Sequence, residues 1–370
     1  MYKRPAVIAI TGIKNSGKTT LITKLLPILS EKGYKTAVVK HDGHNFDPDV
    51  PGTDSYKYRM AGAYSSAVYS SGLFMIIKEQ EVSESYLIDQ LADADIVLLE
   101  GFKTSHYPKI EVIREGNSDS PFTDEKLLLG IATDIKGFKS ESTACFDLNN
   151  AGEIADEIIK AARIQKENTI GMLLLAGGKS TRMGRSKALL KYKGIPFWRK
   201  IAGVLDEFSE VFISISNEED EAVYEGFDTI RDQTDRIGPI GGLKAAFSTG
   251  RYSSFFVCAC DMPDMNNEFV KYMIDLWKPL SSIGYEGLFI KDETGRIYTS
   301  AGIYSSAMKR RIEDNISLGF YRLKDILNES KVYYFPYEEL SEKCRLALKN
   351  VNTAEDYKAF IEEKDILRSK

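Results

Sequence analysis

The run Gly12-Ile13-Lys14-Asn15-Ser16-Gly17-Lys18-Thr19-Thr20 has the spacing G-x-x-x-x-G-K-[ST], in which backbone N–H groups wrap a polyphosphate. Gly12 and Gly17 let the chain turn tightly enough for those donors to converge, and a helix opening at Lys18 adds the positive end of its dipole. Lys18 is placed to reach the β- and γ-phosphates of a nucleotide, and the Thr19 hydroxyl to ligate Mg2+. Such sites need a carboxylate from the end of another strand, and Glu100 in Asp95-Ile96-Val97-Leu98-Leu99-Glu100-Gly101 is the candidate. A solvated charge at a strand end is its alternative reading. His41 and His44, two of the three histidines, fall in Lys40-His41-Asp42-Gly43-His44. With Asp42 or Asp47 they read equally as a metal or nucleotide-sensing cluster and as a hydrogen-bonded polar loop.

A second glycine loop, Leu175-Ala176-Gly177-Gly178 followed by Arg182-Met183-Gly184 and Lys187, lacks that spacing and must hold phosphate differently. Ala176, Gly177 and Gly178 remove bulk, so that backbone can approach a base and ribose, while Arg182 and Lys187 bring fixed positive charge to a triphosphate. Asp261 ends the apolar run Phe255 to Cys260 just before Pro263, and suits Mg2+ bridging nucleotide phosphates. Its alternative is a turn cap. Asp232 follows Thr229 to Arg231, ahead of Gly238-Pro239-Ile240-Gly241-Gly242, glycines that either approach a ligand or open a helix. Cys258 and Cys260 share one face of a strand and read as core.

Both loops need a strand before them and a helix behind, and the chain supplies that alternation almost throughout. Strand-length apolar runs include Ala6 to Thr11, Thr36 to Lys40, Ile96 to Glu100, Ile110 to Ile113, Ile170 to Ala176, Val211 to Ser216 and Phe255 to Cys260. Amphipathic stretches include Lys18 to Glu31, Glu153 to Ala162, Phe197 to Glu207, Gly242 to Ser248, Glu268 to Trp277 and Thr353 to Ile361. The fold class is therefore α/β, with parallel sheets and crossover helices. The polar run Arg163 to Thr169 lacks apolar periodicity and marks a boundary, giving domains 1–165 and 168–370.

Composition agrees with two domains: 370 residues, 43% hydrophobic, each half long enough for its own core. With 49 Lys and Arg against 54 Asp and Glu there is no basic excess, which argues against extended nucleic-acid binding. Four scattered cysteines fit a reducing cytoplasm rather than a disulfide framework or a four-ligand zinc site. The apolar run Ala6 to Ile10 is too short for a signal peptide or a membrane span and reads as a buried strand.

The first loop, Lys40 to His44, Asp49 to Tyr56, Glu100 to Lys103 and Pro108-Lys109-Ile110 together resemble the molybdopterin-guanine dinucleotide biosynthesis protein B family, over about residues 5 to 163. That resemblance implies a P-loop NTPase-like fold and GTP at Gly12 to Thr20. It also implies at most weak GTPase activity, an accessory role beside a guanylyltransferase, and homodimers. Leu175 to Gly178, Arg182 to Gly184, Lys187, Gly238 to Gly242, Cys260 to Pro263 and Asn350-Val351-Asn352-Thr353 resemble molybdenum cofactor guanylyltransferase, over about residues 169 to 362.

The second resemblance implies a Rossmann-like nucleotidyltransferase fold that joins GTP to Mo-molybdopterin and releases pyrophosphate. By position it places Leu175, Ala176 and Gly177 along the nucleotide, Lys187 on phosphate, Asp232 at the GTP site, and Asp261 on magnesium and nucleotide. Lys187, Arg182 and Asp261 then carry catalysis, and the partners implied are molybdopterin-inserting proteins and apo-molybdoenzymes. Two departures bear on base choice: Ser186 stands where many relatives have Asp, and the Ser214 to Asn217 region replaces a nucleotide-contacting asparagine. A cytidylyl or other nucleotidyltransferase, and a non-catalytic GTP-binding carrier, stay open as alternatives.

Overall fold

The computed structural model describes residues 4–42, 46–177, 187–216, 220–231 and 237–366. His44, Gly178, Arg182, Ser186, Asn217 and Asp232 lie outside the described residues. The chain forms two compact units, one of Val7–Ser105 with Lys109–Ala155, the other of Asp156–Lys370 with Met1–Ala6 and His106–Pro108.

The first unit contains β1 (Ala6–Thr11), α1 (Lys18–Glu31), β2 (Thr36–Lys40), α2 (Asp54–Met60), β3 (Ser65–Tyr69), β4 (Phe74–Lys78), α3 (Glu84–Asp89), β5 (Ile96–Glu100), β6 (Lys109–Ile113), β7 (Leu128–Thr133) and β8 (Cys145–Asp147). Its main sheet has the order β2-β5-β1-β6-β7-β8. The pairs β2–β5, β1–β6, β6–β7 and β7–β8 are parallel. β1, β5 and β7 are buried along their whole length, the reason their sequences run mostly apolar without alternating, and β6 is as fully buried although it carries Lys109 and Glu111. Against them α1 buries Leu21, Ile22, Leu25 and Leu29, one stripe at helical spacing. Because β1 and β5 are neighbours, the Gly12 loop and Glu100 leave the same edge of the sheet. β3 and β4 form a separate antiparallel hairpin with Tyr69 84% and Phe74 71% exposed.

α4 (Ala151–Glu167) begins in the first unit and continues in the second. Its length corrects the expected helix end at Ala162. Arg163, Gln165, Lys166 and Glu167 are good helix formers, and Gln165 is buried with its amide donating to Ser282 Oγ at 3.3 Å, so tertiary packing extends the helix where apolar periodicity stops.

The second unit continues with β9 (Ile170–Leu175), β10 (Lys191–Tyr192), β11 (Ile195–Pro196), α5 (Phe197–Asp206), β12 (Val211–Ile215), β13 (Asp228–Arg231), α6 (Pro239–Ser248), β14 (Ser254–Ala259), α7 (Asn267–Ser281), β15 (Gly287–Lys291), β16 (Ala301–Ser305), α8 (Lys309–Ser317), α9 (Leu323–Leu327), β17 (Val332–Pro336), α10 (Glu342–Leu346) and α11 (Ala354–Ile366). The sheet order is β13-β12-β9-β14-β16-β15-β17. β13, β12, β9 and β14 pair in parallel. β16 runs antiparallel to both β14 and β15, so this sheet is mixed rather than parallel throughout. Leu173, Phe212, Phe255, Val257, Phe289 and Tyr304 form its core.

The Gly238 to Gly242 run resolves as a helix entrance, with Gly238 at φ +74° before Pro239. Gly242 lies inside α6 where a Cβ would come 2.3 Å from Ser214 Oγ, so its bareness lets the helix seat on the sheet. Cys258 is fully buried in β14 and Cys260 nearly so just beyond it, as core residues.

Candidate nucleotide and active sites

Gly12 adopts φ +147°, and a Cβ there would lie 2.5 Å from Ser16 Oγ and 2.7 Å from the Val112 carbonyl oxygen. Asn15 at φ +64° and Gly17 at φ +98° complete the turn into α1. Lys18 curls back over the loop, its Nζ donating to the carbonyls of Gly12 at 3.1 Å and Ile13 at 2.8 Å. Burial lowers the Lys18 pKa; Glu100 opposes the shift, while Lys103 and Lys40 add to it. The Asn117 side-chain amide donates to the Lys14 carbonyl at 3.2 Å and steadies the outer arm of the loop. Thr20 is exposed at the start of α1, as is Thr19.

Thr19 Oγ1 donates to Glu100 Oε1 at 2.6 Å, and Lys40 Nζ stands 3.8 Å from the same oxygen. The hydroxyl and carboxylate expected from two distant motifs therefore meet. Two hard oxygens side by side fit Mg2+, which takes oxygen ligands and keeps much of its water. Ser16 Oγ is buried and has no hydrogen-bond partner among the described residues, as expected where a ligand supplies the missing contact. His41 packs its ring edge-on to Phe102 at 5.5 Å, and Asp47 is held by Arg59. Among the described residues no group of three His, Cys, Asp or Glu is arranged to hold a metal.

In the second unit the ends of β9 and β14 are tied by the Cys260 N–H, which donates to the Leu175 carbonyl at 3.0 Å. Ala176 and Gly177 both donate to the Ser214 carbonyl at 2.9 Å. A Cβ on Gly177 would come 2.8 Å from the Ser216 nitrogen, so that glycine is required by the chain's own backbone as well as by any ligand.

Lys187 and Asp261, 74 residues apart, form an ion pair with Nζ 3.2 Å from Oδ2. Two asparagines frame it. Lys187 Nζ donates to Asn352 Oδ1 at 2.7 Å, and Asn350 Nδ2 donates to Asp261 Oδ1 at 3.3 Å. The Val351 N–H donates to the Asp261 carbonyl at 2.8 Å. Asn350 Oδ1 is buried without a hydrogen-bond partner among the described residues. In the sequence Asn350 and Asn352 stand out only as part of a four-residue signature. The usable signal was the helix cap behind them, because Thr353-Ala354-Glu355-Asp356 has capping-box spacing.

Asp356 accepts from the N–H groups of Asn352 and Thr353, each at 2.9 Å, and fixes the turn that carries Asn352. These backbone donors hold its pKa below the ordinary 3.8. A depressed carboxylate contributes stability that is present above the unfolded value and is lost as pH falls through the folded one. Asp356→Ala should therefore lower the thermal midpoint at neutral pH. The gap from wild type should close in melts taken progressively below pH 3.8. A gap that persists in acid would rule out the carboxylate as its source.

A family model described as molybdopterin guanine dinucleotide synthesis protein B matches residues 7–134, and one described as a MobA-like NTP transferase domain matches residues 172–332. The chain is 36% identical over 163 residues to the molybdopterin-guanine dinucleotide biosynthesis adapter protein of Haemophilus influenzae, covering 43% of this chain and 90% of that one. The Escherichia coli adapter protein is 30% identical over 170 residues, covering 44% and 95%. A protein of Thermococcus gammatolerans named probable molybdenum cofactor guanylyltransferase is 32% identical over 187 residues, covering 50% and 94%.

The chain belongs to both families. The adapter-family part carries the Gly12 loop, Thr19 and Glu100; the guanylyltransferase-family part carries Leu175 to Gly177, Lys187 and Asp261. Asn350 and Asn352 lie beyond residue 332, where the MobA-like match ends.

Proposed function

We propose that this protein guanylylates the molybdenum cofactor, transferring GMP from GTP to Mo-molybdopterin and releasing pyrophosphate. The observation that carries the reading is the meeting of Lys187, Asp261, Asn350 and Asn352 at the ends of β9 and β14, within a chain of the guanylyltransferase family. A terminal phosphate oxygen of molybdopterin attacks the α-phosphorus of GTP; the new P–O bond forms as the bond to the bridging oxygen breaks, and its electron pair leaves with pyrophosphate. The attacking phosphate is already anionic, so the protein's task is to align two polyanions and offset charge on the leaving group. Lys187 and Arg182 serve that task, and Leu175, Ala176, Gly177, Gly178 and Asp232 line the nucleotide. Asp261 would hold Mg2+, which supplies Lewis-acid charge when bound.

The first unit serves as the GTP-binding adapter, with Gly12 to Thr20 around the phosphates and Thr19 and Glu100 at its magnesium. The working modules are residues 1–165 and 168–370. Joining two such modules raises their mutual effective concentration to about the millimolar range. The exposed β3–β4 hairpin supports a homodimer, and the free cysteines fit work in the cytoplasm, beside cofactor-inserting proteins and apo-molybdoenzymes. Among the described residues no helix is long and apolar enough to cross a membrane.

The test is turnover of the full chain with Mo-molybdopterin and each of GTP, CTP, ATP and UTP, scoring pyrophosphate and weighing the product by mass spectrometry. GTP alone should give the guanine dinucleotide. A cytosine product would replace guanylyl with cytidylyl transfer, and GTP binding without pyrophosphate release would make the chain a carrier.

A further inference from the structure

Lys109 opens β6 in the heart of the first unit and is wholly buried, an unusual place for an ammonium unless something demands it. Its Nζ donates to the Ser105 carbonyl and, at 3.0 Å, to Ser105 Oγ. Ser105 Oγ in turn donates to the Phe102 carbonyl at 2.9 Å, which also accepts the Ser105 N–H at 3.2 Å. Burial lowers the Lys109 pKa to about 8, with Glu84 pulling it back up.

The turn that Lys109 grips is strained. Gly101 at φ +98° and Phe102 at φ +37° are consecutive left-handed residues, and Phe102 has no glycine's freedom there. Phe102 is also buried, its ring against His41. Glu100 immediately precedes this turn, and its carboxylate is the one that Thr19 reaches. On the other side the Gly101 N–H is pinned to the Ile10 carbonyl at 3.1 Å. Backbone leaving β5 is therefore bent sharply and held at both ends of the bend.

We propose that Lys109 is a positioning residue of the first nucleotide site: through Ser105 its buried ammonium holds the Gly101–Phe102 turn and so sets the Glu100 carboxylate against Thr19. The proposal rests on the reading of that site as one for GTP with Mg2+. An apolar side chain at this position would leave the Ser105 carbonyl and hydroxyl without the donor that Lys109 Nζ brings to both.

The experiment takes the full chain as wild type, Lys109→Met and Ser105→Ala, determines crystal structures, and measures GTP affinity by calorimetry with Mg2+ and with EDTA. In Lys109→Met the Thr19 and Glu100 oxygens should separate beyond about 3.5 Å. The gain in GTP affinity brought by Mg2+ should shrink about tenfold or more, with affinity in EDTA unchanged. Ser105→Ala keeps the backbone acceptor and should show faster amide exchange across residues 101–105 with part of the Mg2+ gain lost; it carries the test if Lys109→Met does not fold. An intact Thr19–Glu100 hydrogen bond in folded Lys109→Met overturns the proposal, as do unchanged exchange and an unchanged Mg2+ gain in Ser105→Ala. Failure of wild type to bind GTP would overturn the nucleotide reading instead, while the oxygen separation and the amide exchange still judge the clamp.

Discussion

Asp261→Ala should cut guanylyl transfer by roughly 100-fold or more, the usual cost of losing one preorganised electrostatic contact of about 3 kcal/mol. Its carboxylate is the centre of the proposed second site: one oxygen receives Lys187, the other Asn350, and its backbone carbonyl receives Val351. Lys187→Ala should cost a similar factor, since it removes the cation proposed above to face the triphosphate and leaves Asp261 with Asn350 alone among the side chains described around it. Because each partner holds the other, the double variant should be little worse than either single one. Asp261→Asn, which keeps the shape and loses the charge, should behave like alanine in rate yet retain more of the thermal stability. Pyrophosphate release under saturating GTP measures all four. Near-normal turnover in Asp261→Ala and Lys187→Ala would remove the pair from the chemistry, and additive losses would show that the two act separately.

Gly12→Ala should weaken guanine nucleotide binding by about 100-fold, from strain of order 1–3 kcal/mol added to a steric clash. The methyl group meets Ser16 Oγ at 2.5 Å and the Val112 carbonyl at 2.7 Å, and the backbone there is at φ +147°. Ser16 could rotate away. Val112 could not, because it lies in β6, buried and paired in parallel with both β1 and β7. The loop itself must therefore move, and its donors lose their common focus. Gly203→Ala makes the control, since a Cβ there meets nothing within 4 Å and helix α5 gains from alanine. Titration with a fluorescent guanine nucleotide would compare them, and wild-type affinity in Gly12→Ala would mean that the loop does not hold the phosphates.

Much of the first candidate site is legible because each part sits in a local pattern, a glycine spacing or a strand end, although Thr19 and Glu100 lie 81 residues apart. β1, α1, β2 and β5 occupy the spans that apolar runs and the glycine spacing predict, and Glu100 ends its strand beside Thr19. What was not legible depends on partners far along the chain. The inversion of β16 leaves no mark on its own sequence, since a strand buried on both faces reads the same in either direction. The end of α4 leaves no mark in the sequence because polar helix formers carry no periodic signal and Gln165 needs Ser282 to be buried. Lys109 appeared only as one letter of a motif; nothing in Pro108-Lys109-Ile110 tells that its charge is wholly enclosed.

The asparagines that frame Lys187 and Asp261 also set a time on the second site. Asn352 touches a lysine 165 residues upstream, and Asn350 an aspartate 89 residues upstream. During synthesis at about 5–20 residues per second, the glycine loop and its strand leave the ribosome long before the residues that frame them. In the first unit the loop, Thr19 and Glu100 have all been made by residue 100. The Gly12 loop and Glu100 thus precede Asn350 by 250 residues, about ten seconds or more of synthesis in which the second site still lacks its frame. Folding intermediates stalled before residue 350 would hold the Gly12 loop and Glu100 complete and the second site unframed.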